Sequence, residues 1–144
     1  MIWKARGEYQ MNLLLIEDDP AGVMLFNAAL RDQELPATRL VIARDGESAM
    51  PTAQGAPSPL DLIVLDLNLP RRHGFEVLAD IRSDTRLKST PVCILTTSDY
   101  EPDMRRAYEL GANFFLHKPA DLDSFTTMVR RLILFCAATG AAAA

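Results

Sequence analysis

Leu13–Gly22 reads LLLIEDDPAG, four apolar residues running straight into Glu17, Asp18 and Asp19. An unbroken apolar run of this length, with no polar alternation, fits a strand buried on both faces, as in a parallel sheet covered by helices. Asp19 followed by Pro20 starts a helix, because an aspartate caps the first amides and a proline at the first position loses no needed donor. Val23, Phe26 and Leu30 then share one face of that helix. Capping accounts for Asp19 and leaves Glu17 and Asp18 with no local structural task.

Outward from this stretch the same unit repeats. Arg39–Ala43, Leu60–Asp66, Val92–Thr96 and Asn113–His117 read as four further strands, each separated from the next by a helical segment. The second helix, from Gly46 to about Gln54, contains Pro51 and is expected to be short or irregular, since an internal proline removes a hydrogen bond. Phe75, Leu78 and Ile81 give the third its apolar stripe. The fourth opens near Glu101-Pro102, presents Met104, Ala107 and Tyr108, and stops at Gly111, a residue suited to the left-handed position after a helix. The last begins near Asp121 and carries Phe125, Met128 and Leu132. Strict alternation of strand and helix implies a doubly wound α/β fold with a five-stranded parallel sheet.

At 144 residues the chain is expected to hold one domain. Residues 11–136 form it, with an N-terminal extension at 1–10 and an alanine-rich tail at 137–144; Met11 is an alternative start. No apolar run approaches the roughly 20 residues of a membrane span. The first ten residues lack the apolar centre of a secretory signal, so a cytoplasmic location is expected. Fifteen Lys and Arg against nineteen Asp and Glu give a net charge of −4. With no basic block, the chain points away from nucleic acid and toward a protein partner. Cys93 and Cys136 have no metal-ligand spacing and read as core fillers.

Ligands of open α/β sheets sit beyond the carboxyl ends of the strands. Glu17 and Asp18 end the first strand, Asp66 the third, Thr96 the fourth and Lys118 the fifth, so four strand ends bring chemically capable side chains to one rim. Each alone has an ordinary explanation as a cap, turn or surface residue. Their joint placement does not.

The motifs LLLIEDDP (13–20), DLIVLDLNLP (61–70), PVCILTTSD (91–99) and GANFFLHKPADLDSF (111–125) stand in the order and near the spacing of the receiver domains of two-component response regulators, which the chain resembles over about residues 11–136. The resemblance implies a flavodoxin-like (βα)5 fold with strand order 2-1-3-4-5. By position, Asp66 matches the phosphoacceptor, Glu17 and Asp18 the acidic pair, and Asn68 the residue whose backbone carbonyl helps hold metal. Thr96 matches the switch hydroxyl, Phe115 the switch aromatic, Lys118 the lysine of the site and Pro119 the cis proline after it. The implied partner is a sensor histidine kinase whose phosphohistidine donates to Asp66. Such a domain is a signalling phosphoacceptor that catalyses its own phosphorylation and a slow autodephosphorylation. LDLNLPRRHGFEVL and LTTSD are similar to the single-domain regulators paired with bacterial and cyanobacterial phytochrome kinases; the downstream protein stays unidentified.

The residues support this chemistry in their own right. Three carboxylates converging within a few ångströms repel by about 4 kcal/mol per close pair at an effective dielectric near 20. A divalent cation relieves that repulsion, and all-oxygen ligands favour Mg²⁺, with Mn²⁺ also suitable. Asp66 can then act as a nucleophile toward phosphorus, with Lys118 compensating charge and Thr96 bonding a phosphoryl oxygen.

Other readings share parts of this pattern. A flavin carrier has the architecture, yet IEDDP puts carboxylates where a phosphate needs amides. A small Mg²⁺-dependent phosphatase with an aspartyl nucleophile would want a second carboxylate where Asn68 stands, and a cap domain besides. A degenerate receiver acting only as an interaction scaffold stays open. Arg71, Arg72 and His73 read either as a solvated basic loop or as a contact to kinase or phosphoryl group. Leu132–Cys136 are apolar at five consecutive positions and point in nearly every direction around a helix. They imply either cover from Ile2 and Trp3 or a homodimer through the fourth helix, fifth strand and fifth helix, the arrangement expected here.

Overall fold

In the computed structural model, which describes residues 10–57 and 59–143, the opening apolar run lies in strand β1, Gln10–Ile16, at the interior of a five-stranded sheet. Helix α1 (Pro20–Ala29), β2 (Ala37–Ala43), α2 (Ala49–Gly55), β3 (Leu62–Leu65) and α3 (Gly74–Ser83) follow. Then come β4 (Val92–Thr96), α4 (Glu101–Glu109), β5 (Phe114–His117) and α5 (Leu122–Ala143). Every strand pair is parallel, and the order is β2-β1-β3-β4-β5, the flavodoxin-like arrangement expected.

Alternation along the strands divides the interior into two cores. Met11, Leu13 and Leu15 of β1 face α1 and α5, together with Leu62, Val64, Cys93 and Leu95. Leu14 and Ile16 face the opposite way, with Ile63, Leu65 and Ile94, against α2, α3 and α4. Leu13, Leu14, Leu62, Ile63 and Ile94 are fully buried, as expected of strands covered on both faces.

The helices depart from the sequence reading in instructive ways. The second is short, seven residues, but Pro51 does not break it. Ser48 is the cap residue, so Pro51 lies in the first turn, where its missing N–H is no loss. In α4 only Ala107 is buried, while Met104 and Tyr108 remain largely exposed. The alanine-rich end read as a tail continues α5 as helix to Ala143, and Ala137 is fully buried. Of the five consecutive apolar residues, Leu132, Ile133 and Cys136 are buried in the α1–α5 core, Leu134 packs at its margin and Phe135 is 56% exposed. Ile2 and Trp3 lie outside the described residues. Cys93 and Cys136 are both buried, unpaired core residues. Among the described residues, no helix is long and apolar enough to cross a membrane.

Candidate functional site

Connections from β1 run to one side of the sheet and those from β3 to the other, which opens a crevice between their carboxyl ends. The register pairs Ile16 with Leu65, so Glu17 and Asp66 leave their strands side by side. The Asp66 N–H donates to the Ile16 carbonyl at 3.1 Å, and the Glu17 N–H to Ala43 at 2.9 Å. Thr96 pairs with His117, and the Lys118 N–H donates to the Thr96 carbonyl at 2.7 Å. The backbone ladder thus carries Glu17, Asp66, Thr96 and Lys118 to this rim.

Lys118 joins the two buried carboxylates. Its Nζ donates to Asp66 Oδ2 at 2.9 Å and to Glu17 Oε1 at 2.5 Å. The other Asp66 oxygen, Oδ1, accepts the Asn68 N–H at 3.1 Å, which fixes the orientation of the carboxylate. Glu17, Asp18 and Asp66 each place an oxygen within 4.8 Å of the others; Asp18 is exposed, whereas Glu17 and Asp66 are buried. One ammonium faces three carboxylates, so negative charge is in excess. Burial pushes the Glu17 carboxyl up from 4.5 to about 7; the Lys118 hydrogen bond lowers it and the Asp66 charge raises it further. Burial alone would depress the Lys118 ammonium, but its hydrogen bonds to Glu17 and Asp66 prevail and raise it. All three acids offer hard oxygen ligands, the donor set suited to Mg²⁺ or Mn²⁺.

Thr96 is fully buried at the end of β4, and its Oγ1 accepts the Ser98 N–H at 3.2 Å. Phe115 is half-buried against the α2–α4 core, and Pro119 lines a cavity of about 380 Å³ beside Glu17 and Lys118. Asp19 caps α1 through the Ala21 N–H at 3.1 Å, as its position implied.

The PRRHG loop resolves into separate roles. Arg72 grips Asp80 through two bonds, at 2.9 and 3.0 Å, and Glu76 at 2.8 Å. His73 Nδ1 accepts the Phe75 N–H at 3.0 Å, so the imidazole caps α3. Arg71 stays 65% exposed and adopts a φ of 72°, while the Arg72 N–H donates to the Pro70 carbonyl at 2.9 Å across it. Positive φ at the centre of such a bond is a γ-turn, a strained conformation for a residue with a Cβ.

Several residues that shape the site were not anticipated. A Cβ at Gly74 would lie 2.6 Å from the Asp66 carbonyl oxygen and 2.6 Å from Leu67 Cα. The β3–α3 connection therefore packs backbone to backbone directly under Asp66. A Cβ at Gly46 would come closer still to the Arg72 carbonyl oxygen. Glycine before an amphipathic segment was the available signal, but close approach between distant segments leaves no periodic trace. Ser98, which holds Thr96 Oγ1, was equally silent in the sequence.

A family model described as a response regulator receiver domain matches residues 13–130. Response regulator Rcp1 of the cyanobacterium Synechocystis sp. (strain PCC 6803) is 40% identical over 129 residues, covering 85% of this chain and 86% of that protein. The crystal structure of the phosphorylated cyanobacterial phytochrome response regulator RcpA superposes with a TM-score of 0.83 at 37% identity, over 91% of this chain and 96% of that one. The Mn²⁺-bound form of Rcp1 gives a TM-score of 0.76 at 39% identity, over 85% and 91% of the respective chains.

Proposed function

The chain belongs to the response regulator receiver domain family, and from that premise we propose that Asp66 accepts a phosphoryl group from the phosphohistidine of a sensor histidine kinase. The observation that carries this reading is the Asp66 carboxylate, oriented by Lys118 Nζ at 2.9 Å and the Asn68 N–H at 3.1 Å, within 4.8 Å of Glu17 and Asp18.

In the transfer, an Asp66 oxygen bonds to phosphorus as the phosphorus–nitrogen bond to the imidazole breaks. The electron pair stays on the ring nitrogen, and Asp66 becomes an acyl phosphate. Because the transition state is loose, catalysis is mostly positioning and charge compensation. Lys118 holds the carboxylate in place and sets an ammonium beside the incoming phosphoryl oxygens. Thr96 donates its hydroxyl hydrogen to one of those oxygens, and Phe115 responds at the α4–β5 surface. Glu17, Asp18, Asp66 and the Asn68 backbone carbonyl would hold Mg²⁺, with Mn²⁺ a substitute. When bound, the cation offsets carboxylate and phosphoryl charge. Pro119 holds the backbone after Lys118, as the family's cis proline does. Attack of water on the acyl phosphate slowly releases inorganic phosphate and returns the free carboxylate, so the domain times a signal.

The receiver domain expected over residues 11–136 acts in the cytoplasm, with α5 carrying its core on to the buried Ala137. The description of RcpA as a cyanobacterial phytochrome response regulator supports a phytochrome as the kinase. A homodimer through α4, β5 and α5 completes the reading. Its support is Phe135, which stacks edge-on against Phe114 at 5.6 Å and borders an open groove of about 610 Å³ with Leu116, Met128 and Leu132. Output passes to a protein partner.

Incubation with Mg²⁺ and acetyl phosphate, followed by intact mass, tests the central claim. One phosphoryl group should add to the wild-type chain and none to Asp66→Asn; labelling of that variant elsewhere would overturn the assignment. No labelling at all would favour the scaffold reading. Light scattering at tens of micromolar should give a dimer that Leu134→Glu with Phe135→Glu converts to monomer.

A further inference from the structure

The bonds around Thr96 continue beyond the site. Thr96 Oγ1 accepts the Ser98 N–H at 3.2 Å, and Ser98 Oγ donates to Asp103 Oδ2 at 2.7 Å. Asp103 is the third residue of α4. The same Ser98 oxygen accepts the Tyr100 N–H at 3.3 Å, and the Asp103 N–H donates to the Tyr100 carbonyl at 3.0 Å. Two residues on a loop and one in a helix are thereby closed into a small polar knot, with the buried switch hydroxyl at one end and the first turn of α4 at the other.

The helix needs this knot. Tyr100 is its cap residue and offers no side-chain hydrogen bond to the first turn. A helix beginning without a capping oxygen is poorly held at that end. Ser98 and Asp103 supply the missing side-chain tie. Beside it, between the start of α4 and β5, lies a cavity of about 250 Å³ lined by Ser98, Tyr100, Met104, Phe115 and His117. The first turn and Phe115 have room to shift into it.

A threonine hydroxyl has one hydrogen to donate and lone pairs to accept with. The Ser98 N–H occupies one of those lone pairs in the structure. If Thr96 turns to donate to a phosphoryl oxygen, its Oγ1 moves. The Ser98 amide must then follow it or lose its partner, and Ser98 is anchored to α4. We propose that Ser98 and Asp103 are positioning residues that transmit the state of Thr96 to the N-terminal turn of α4. The inference rests on phosphorylation of Asp66 and names the residues that carry its consequence outward.

Hydrogen exchange on the free and acetyl-phosphate-labelled chain tests this, with intact mass recorded on the same samples. Wild-type protein should show a phosphorylation-dependent change in the amides of residues 101–109. Ser98→Ala keeps the backbone amide that bonds Thr96 Oγ1 and removes only the hydroxyl bonded to Asp103, so it should label on Asp66 to the wild-type extent while that change is lost, and Ser98→Thr, which keeps the hydroxyl, should restore it. Asp103→Ala breaks the tie from the other end and should give the same loss, so the test does not depend on one variant folding. Normal labelling with an undiminished α4 response in Ser98→Ala or Asp103→Ala would overturn the proposal. So would a labelled wild-type chain whose α4 does not respond. Failure of the wild-type chain to label would instead overturn the phosphoacceptor reading.

Discussion

Replacing Lys118 with methionine keeps most of the apolar stem and removes the ammonium that Glu17 and Asp66 share. The two carboxylate side chains are only 5% and 10% exposed. Breaking a buried ion pair from one side costs about 3–5 kcal/mol, because the other charge is left desolvated and unpaired. A second route to the magnitude agrees. Carboxylates with oxygens within 4.8 Å of each other repel by at least about 3 kcal/mol at an effective dielectric near 20. Escape by protonating Glu17 limits the damage without removing it, since each unit of pKa shift is itself worth about 1.4 kcal/mol. With a urea dependence of about 1–3 kcal/mol per molar, the unfolding midpoint of the metal-free Lys118→Met variant should fall by roughly 2 M.

The same reasoning fixes how the loss is rescued. Asp66→Asn in the Lys118→Met background removes one of the two orphaned charges and should recover most of the midpoint, although Asp66→Asn alone should change it little. That non-additivity is the signature of a shared charge site. Saturating Mg²⁺ should also raise the variant's midpoint, because an ion that binds only the folded state stabilises it. Urea titrations in EDTA, followed by far-UV circular dichroism, measure all of these. An unchanged midpoint for Lys118→Met, or failure of Asp66→Asn to rescue it, would show that the three side chains do not form the electrostatic unit described.

Gly74→Ala would gain a few tenths of a kcal/mol to about 1 kcal/mol from a stiffer unfolded chain. The contacts at 2.6 Å are to backbone, so overpacking at about 1–3 kcal/mol should win, and calorimetry should record a lower melting temperature with slower labelling of Asp66. In EDTA the folded chain holds the Glu17 proton at pH values where the unfolded chain has lost it. Stability should therefore fall as pH rises from 4.5 to about 7. Urea midpoints across that window should lose this component in Glu17→Gln; parallel profiles for the two proteins would contradict it. Labelling should require Mg²⁺ or Mn²⁺, and Asp18→Ala should impair it more than Glu17→Ala; equal activity in excess EDTA would remove the metal from the reaction.

What the sequence made legible was whatever repeats or terminates a pattern. Leu13–Ile16 and Val92–Leu95 are continuous apolar runs, so their burial on both faces was readable, and with it the parallel sheet. The rim positions of Glu17, Asp66, Thr96 and Lys118 followed because each ends or follows such a run. Features that arise only when distant segments meet were not readable. Pro51 looked like a breaker because the true cap, Ser48, has no periodic marker. Arg72 looked like part of a basic loop, since nothing local announced that Asp80 would meet it in two bonds.

Phe135 shows where the two kinds of information join. Its neighbours made plain that a helix this apolar exceeds what one sheet face covers, and α5 buries Leu132, Ile133 and Cys136 while leaving Phe135 at 56% exposure. The remainder is small, but it does not stand alone. Phe135 meets Phe114, which is paired in β5 with Cys93 of β4, and Thr96 ends that same strand. On the other side of β5, the Phe115 N–H donates to the Tyr108 hydroxyl of α4 at 3.1 Å. The edge strand thus lies between the groove beside α5 and the helix tied through Ser98 to Thr96. On the proposed coupling, a change at Thr96 that shifts α4 would act on the strand against which a second copy would pack, so phosphorylation of Asp66 would have a physical route to the proposed dimer face without having to create it.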